Sequence, residues 1–137
     1  GGLTDQLPVQ SKKKAPKAVT HTVVALRRRG KYLFEQRPAR GMWANLWQLP
    51  TCEEKLSPAK QVDWVAQRFG LDVTRPRRVQ SFQHRTTHRL ITFELFVADC
   101  EAGRLKTGTG AWHRPDRLDT TPLANPQRKA VELLAER

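Results

Sequence analysis

Between Ser57 and Gly70 the chain carries the signals of one amphipathic helix, and the segments on both sides of it read as strands. Ser57 is a residue type that caps a helix N-terminus, Pro58 suits the first turn, and Gly70 stands where a helix stops. Val62, Val65, Ala66 and Phe69 recur at i, i+3, i+4 and i+7, so one face is apolar and predicts burial against a sheet. The strands are marked by β-branched content and alternation. A first begins at Val19 in the run THTVVAL, turns at Arg29-Gly30, and is followed by a second from Tyr32 to Gln36. After the helix, Val79 to His84 reads as strand, and Ile91, Phe93, Leu95 and Val97 alternate with more polar neighbours. A short strand near Ala111-Trp112-His113 precedes a final helix with Asn125 as its cap, Pro126 behind it, and Ala130, Leu133 and Leu134 on its apolar face. The order β-β-loop-α-β-β-β-α predicts an α/β (α+β) fold. It is a single domain over residues 19–137, with a mixed sheet sandwiched by helices.

Charge narrows the choice of partner. The 137 residues hold 25 Lys+Arg against 13 Asp+Glu, a net charge of +12. Such an excess on a small domain points to a polyanion, nucleic acid being the commonest, with a solubility surface as the alternative. The cations cluster at Lys12, Lys13, Lys14 and Lys17, at Arg27, Arg28, Arg29 and Lys31, at Arg75, Arg77 and Arg78, and at Arg85 and Arg89. Residues 1–18 hold few large apolar side chains and read as a basic linker or tail, whose Lys12, Lys13 and Lys14 suit electrostatic contact with a nucleic-acid backbone. The opening Gly1-Gly2 suggests a fragment boundary. Two cysteines, Cys52 and Cys100, are too few for a disulfide scaffold and form no C-x-x-C clip. No apolar run approaches the ~20 residues of a membrane helix, and no signal-peptide pattern opens the chain. The expectation is an intracellular domain (cytoplasmic or nucleoid if bacterial) with no membrane partner.

Two motifs carry a resemblance. Arg37-Pro38-x-x-Gly41-x-Trp43-x-Asn45-Leu46-Trp47-x-x-Pro50-Thr51-Cys52-Glu53 resembles a segment of the C-terminal domain of adenine DNA glycosylases of the MutY family. Ser81-Phe82-x-His84-x-Thr86-Thr87-His88 resembles that domain's F-x-H-x-F-S-H segment. The likeness runs from about Val19 to Arg137, and the family's domain is similar in fold to the Nudix hydrolases, including the MutT sanitising enzyme. It implies a base-excision-repair role: recognition of 8-oxoguanine opposite adenine in double-stranded DNA. Removal of the adenine belongs to a separate helix-hairpin-helix domain, which usually carries a 4Fe-4S cluster on four cysteines. Two distant cysteines cannot hold that cluster. The chain is therefore expected to need no cofactor and to be non-catalytic alone, although its parent would be a hydrolase of N-glycosidic bonds.

A free-standing Nudix-like nucleotide hydrolase, or a nucleotide-binding protein, is the alternative. Such enzymes hold Mg²⁺, a hard ion that takes oxygen ligands, with helix carboxylates in the pattern G-x5-E-x7-R-E-U-x-E-E-x-G-U. Anchoring that pattern at Gly70-Leu71 puts Asp63 on its arginine, Trp64 on its glutamate, and Gln67 and Arg68 on its paired glutamates. No carboxylate stands at those ligand positions, and Glu53 and Glu54 precede the helix without partners. A third possibility is a protein-interaction module that docks through the linker.

The resemblance assigns lesion or DNA contact to Arg85, Thr86, Thr87, His88 and Arg89, with no catalytic and no metal residue in this chain. 8-Oxoguanine carries an oxygen at C8 and a hydrogen on N7, so N7 changes from acceptor to donor. A hydroxyl can accept from N7–H and a backbone N–H can donate to the C8 oxygen. The family's serine falls on Thr87, which keeps the hydroxyl, and its phenylalanine falls on Thr86, which removes an aromatic platform. Arg85 and Arg89 suit neighbouring phosphates. The competing structural reading is that Thr86-Thr87 caps the turn into the next strand. His88 is expected to fix the loop by a hydrogen bond to the backbone. His84 and His88 would be ~13 Å apart on one continuous strand, too far for one ion. Trp43 and Trp47 are expected to pack a loop on the core, and Trp64 to lie at the core or its rim.

Overall fold

The computed structural model describes residues 15–117 and 122–135, and Lys12, Lys13 and Lys14 lie outside them. The elements are β1 (Lys17–Arg28), β2 (Lys31–Gln36), β3 (Trp47–Gln48), β4 (Thr51–Cys52), α1 (Pro58–Phe69), β5 (Leu71–Val73), β6 (Arg77–Arg85), β7 (Arg89–Gly103), β8 (Ala111–His113), a 3-10 turn (Pro115–Arg117) and α2 (Asn125–Ala135).

Parallel pairing of β1 and β7 forms the centre of a mixed sheet, in register from Lys17 opposite Arg89 to Arg27 opposite Asp99. β6 folds against β7 as an antiparallel hairpin, and β5 pairs with the far end of β7. On the other side β2 returns antiparallel to β1 and carries β3 and β8, while β4 also pairs with β1. Strand periodicity then divides the core into two layers. Val23 and Ala25 of β1 join Tyr32, Phe34, Ile91, Phe93, Leu95 and Val97 beneath Ala130, Leu133 and Leu134 of α2. Val24 and Leu26 face the other way, with Leu33 and Ala98, beneath Val65 and Phe69 of α1. The α+β sandwich expected from the order of elements is the fold observed.

Local signals account for most element boundaries. Ser57 Oγ accepts from the Lys60 amide at 3.3 Å, and Gly70, at φ 76°, donates its N–H to Ala66 O at 3.0 Å. Helix α2 starts at Asn125 itself, so the cap position falls one residue earlier than expected, on Ala124, whose O accepts from Gln127 N at 2.8 Å. β1 begins at Lys17, two residues ahead of Val19. Strands β3, β4 and β5 are two or three residues long, too short for alternation to show. Trp43 and Trp47 pack against the α2-side core as expected, and Trp64 is half-buried with its ring edge-on to Phe69. Burial raises the pKa of both free thiols, Cys100 to about 11.

Two glycines, Gly103 and Gly110, are required by close approach. Gly103 ends β7 at φ 98°, and a Cβ there would lie 2.5 Å from the carbonyl oxygen of Gly70. Gly103→Ala is expected to lower stability by about 2 kcal/mol, read as a shifted urea midpoint. An unchanged midpoint would mean that the junction of β7 with the end of α1 can relax.

Candidate functional site

Strands β6 and β7 place the five lesion-contact candidates, Arg85, Thr86, Thr87, His88 and Arg89, at one hairpin tip. Arg85 ends β6, Arg89 begins β7, and Thr87, His88 and both arginines are exposed. The tip is closed locally: Thr86 N–H donates to Arg89 O at 2.8 Å, and Arg89 N–H donates to Thr86 Oγ1 at 3.0 Å. It is also tied to the sheet, because Lys17 N–H donates to His88 O at 2.9 Å. The two threonines therefore do different things. Thr86 closes the turn with its hydroxyl and main-chain N–H, whereas the Thr87 hydroxyl has no hydrogen-bond partner among the described residues. His88 steadies the tip through its main-chain carbonyl; its imidazole makes no hydrogen bond among the described residues. His84 sits back on β6 against Trp43, with ring centroids 5.6 Å apart.

A second feature lies where α1 crosses β2. Glu35 is buried near the end of β2, its side chain only 3% exposed, and Arg68 reaches it from the last turn of α1. Arg68 Nε and Nη2 donate to Glu35 Oε1 at 3.0 and 2.8 Å. Gln48 Nε2 and the Thr51 amide donate to Glu35 Oε2 at 2.8 and 3.1 Å. An ionised carboxylate offers about four lone-pair sites, and here four donors occupy them. Arg37 extends the network by donating to Gln48 Oε1 at 3.2 Å, Met42 O at 2.9 Å and Glu53 Oε2 at 3.5 Å. Its guanidinium carbon also lies 5.7 Å from the centre of the Trp43 ring. Beside this network is a cavity of about 500 Å³ lined by Glu35, Arg37, Trp47, Arg68 and Gly108 to Gly110.

These donors do not fit a divalent cation. The buried carboxylate has its acceptor capacity filled, and the side chain next to it is a guanidinium. Glu53 is exposed and faces Arg37. Among the described residues, no three His, Cys, Asp or Glu side chains come together. Glu35 is the residue that sequence reasoning missed. Its signal is a lone acid ending the otherwise buried run Tyr32-Leu33-Phe34, where an unpaired charge could not be tolerated.

A family model described as NUDIX domain matches residues 21–133. The chain belongs to the NUDIX domain family. Solved structures agree on the fold. A MutT NUDIX hydrolase from Burkholderia pseudomallei is 19% identical with a TM-score of 0.69, over 86% of this chain and 98% of that one. The C-terminal domain of mouse MUTYH, solved in complex with human PCNA, is 18% identical with a TM-score of 0.64, over 87% of each chain. The NUDIX domain of Shewanella oneidensis NrtR, solved with ADP ribose, is 17% identical with a TM-score of 0.67, over 90% of this chain and 89% of that one. The neighbours of this NUDIX domain thus include hydrolases, a domain solved with ADP ribose and a MUTYH C-terminal domain solved with PCNA, so its function must be argued from its own side chains.

Removing Arg68 would leave a buried carboxylate without its cation. Because Arg68 is half-exposed, water can replace part of its contribution, and Arg68→Ala is expected to cost about 1–3 kcal/mol. Glu35→Gln in that background should recover part of the loss. Denaturant midpoints of the double-mutant cycle measure the coupling, and additive losses would show that the pair is not an energetic unit.

Proposed function

We propose that this NUDIX domain reads 8-oxoguanine opposite adenine in double-stranded DNA, as the non-catalytic recognition domain of an adenine DNA glycosylase of the MutY family. The observation that carries the reading is the pairing of Arg68 with Glu35. It leaves the helix that a hydrolase would use for its cation with a satisfied ion pair, while a basic hairpin stands exposed elsewhere. The two family motifs and the structural likeness to the mouse MUTYH domain support it.

Each residue of the tip then has a part. Thr86 holds the turn, so that the neighbouring hydroxyl is presented at a fixed position. The Thr87 hydroxyl accepts from the N7–H that guanine lacks, while a tip amide donates to the C8 oxygen. Arg85 and Arg89 flank the tip and neutralise phosphates, with His88 exposed between Thr87 and Arg89 as a further backbone contact. Lys12, Lys13 and Lys14 add sequence-independent attraction from the segment ahead of β1. Excision belongs to the parent's helix-hairpin-helix domain, with its iron–sulfur cluster, in an intracellular setting.

The cavity of about 500 Å³ beside Arg37, Arg68 and Trp47 favours one other reading, a nucleotide-binding or nucleotide-hydrolysing domain. Mg²⁺-dependent release of phosphate from nucleoside triphosphates by this chain would establish the hydrolase.

The lesion reading is tested with two duplexes that differ only in adenine opposite 8-oxoguanine or guanine. Thr87→Ala is expected to reduce the preference for the lesion duplex about ten-fold, measured by fluorescence anisotropy. Arg85→Ala should weaken both duplexes alike and lower the log–log salt slope by about 0.9. An unchanged preference in Thr87→Ala would remove Thr87 from recognition.

A further inference from the structure

At the other end of β1 a second basic feature stands apart from the hairpin tip. Eleven residue steps separate Lys17, bonded to His88, from Arg28, about 36 Å along an extended strand. There Arg28, Arg29, Lys31 and Trp112 line a cavity of about 270 Å³. No lining residue is acidic, and among the described residues none of the three cations has a carboxylate within 4.0 Å. Arg28 Nη1 is held toward Gly103 O at 3.3 Å, and Trp112 is anchored by packing on the α1-side core.

The backbone supplies an independent observation. Arg29 and Gly30 form the two-residue turn between β1 and β2 with φ of 52° and 77°. Both central residues of such a turn are left-handed, a conformation suited to Asn, Asp or Gly and disfavoured for a long side chain. Arg29 holds this conformation although Asn, Asp or Gly would suit it better. Arg29 lines the cavity together with Trp112.

We propose that this cavity binds one nucleotide unit, with the base against Trp112 and the phosphate among Arg28, Arg29 and Lys31. Three cations without an acid select an anion, and an aromatic wall beside them selects an anion that carries a ring. A base stacked inside a duplex has no free face to offer Trp112, so the unit comes from a single strand or from a free nucleotide. This site does not depend on lesion recognition at the β6–β7 tip.

The test titrates the full chain with thymidine monophosphate, a labelled eight-residue oligothymidylate and inorganic phosphate. Both thymidylates should bind, and inorganic phosphate should bind at least about ten-fold more weakly because it lacks the stacking ring. Arg29→Asn suits the turn and should leave Tm equal or higher, yet weaken both thymidylates about five-fold or more; Lys31→Ala should weaken them similarly. Each variant should lower the salt slope for the oligonucleotide by about 0.7. An oligonucleotide that binds more tightly than the mononucleotide identifies a strand as the ligand, and equal affinities identify a free nucleotide; both outcomes support the site. Thr87→Ala should change neither affinity, which separates this site from the lesion reading. Thymidylate affinities unchanged in Arg29→Asn and Lys31→Ala, or inorganic phosphate binding as tightly as the mononucleotide, would overturn it.

Discussion

The parallel pairing of β1 with β7 is the constraint on which the other placements depend. It sets Lys17 beside the β6–β7 tip, so that its amide anchors His88 O, and it carries the chain to Arg28 at the opposite end. Because β1 is central, its two faces must both be covered, and α1 and α2 provide the cover. The same ladder extends to the Arg27–Asp99 pair, where the hydrogen bond from Arg27 holds the Asp99 carboxyl below its ordinary pKa. Two basic features at the two ends of one strand follow from that single pairing.

The chemistry of α1 beside β2 is simple. A NUDIX scaffold that handles a diphosphate needs hard oxygen ligands with lone pairs to give. Here Glu35 has four donors on two oxygens, and the neighbouring helix side chain is Arg68. The Glu35–Arg68 pair joins α1 to β2 by charge and two hydrogen bonds.

Much of the fold was legible because its signals are local. Ser57, Pro58 and Gly70 each mark a backbone conformation by themselves, and the alternation of Ile91, Phe93, Leu95 and Val97 marks a strand without reference to the rest of the chain. The pairing of Glu35 with Arg68 was not legible, since the two are 33 residues apart and nothing near either one points to the other. At the hairpin the sequence offered two adjacent hydroxyls and two readings for them. In the turn Thr86 closes the tip, as the capping reading has it, and Thr87 is exposed. The Arg29-Gly30 turn was visible from its glycine, whereas the left-handed arginine depends on the register of β1 with β2, which no local pattern encodes.

An ion pair joins α1 and β2 at the place where a NUDIX hydrolase would gather carboxylates for a cation. Paramagnetic relaxation of backbone amides during a Mn²⁺ titration at neutral pH tests it directly. The amides of Trp64 to Phe69 should broaden no more than those of the rest of the surface. Selective, saturable broadening confined to that helical turn would contradict it.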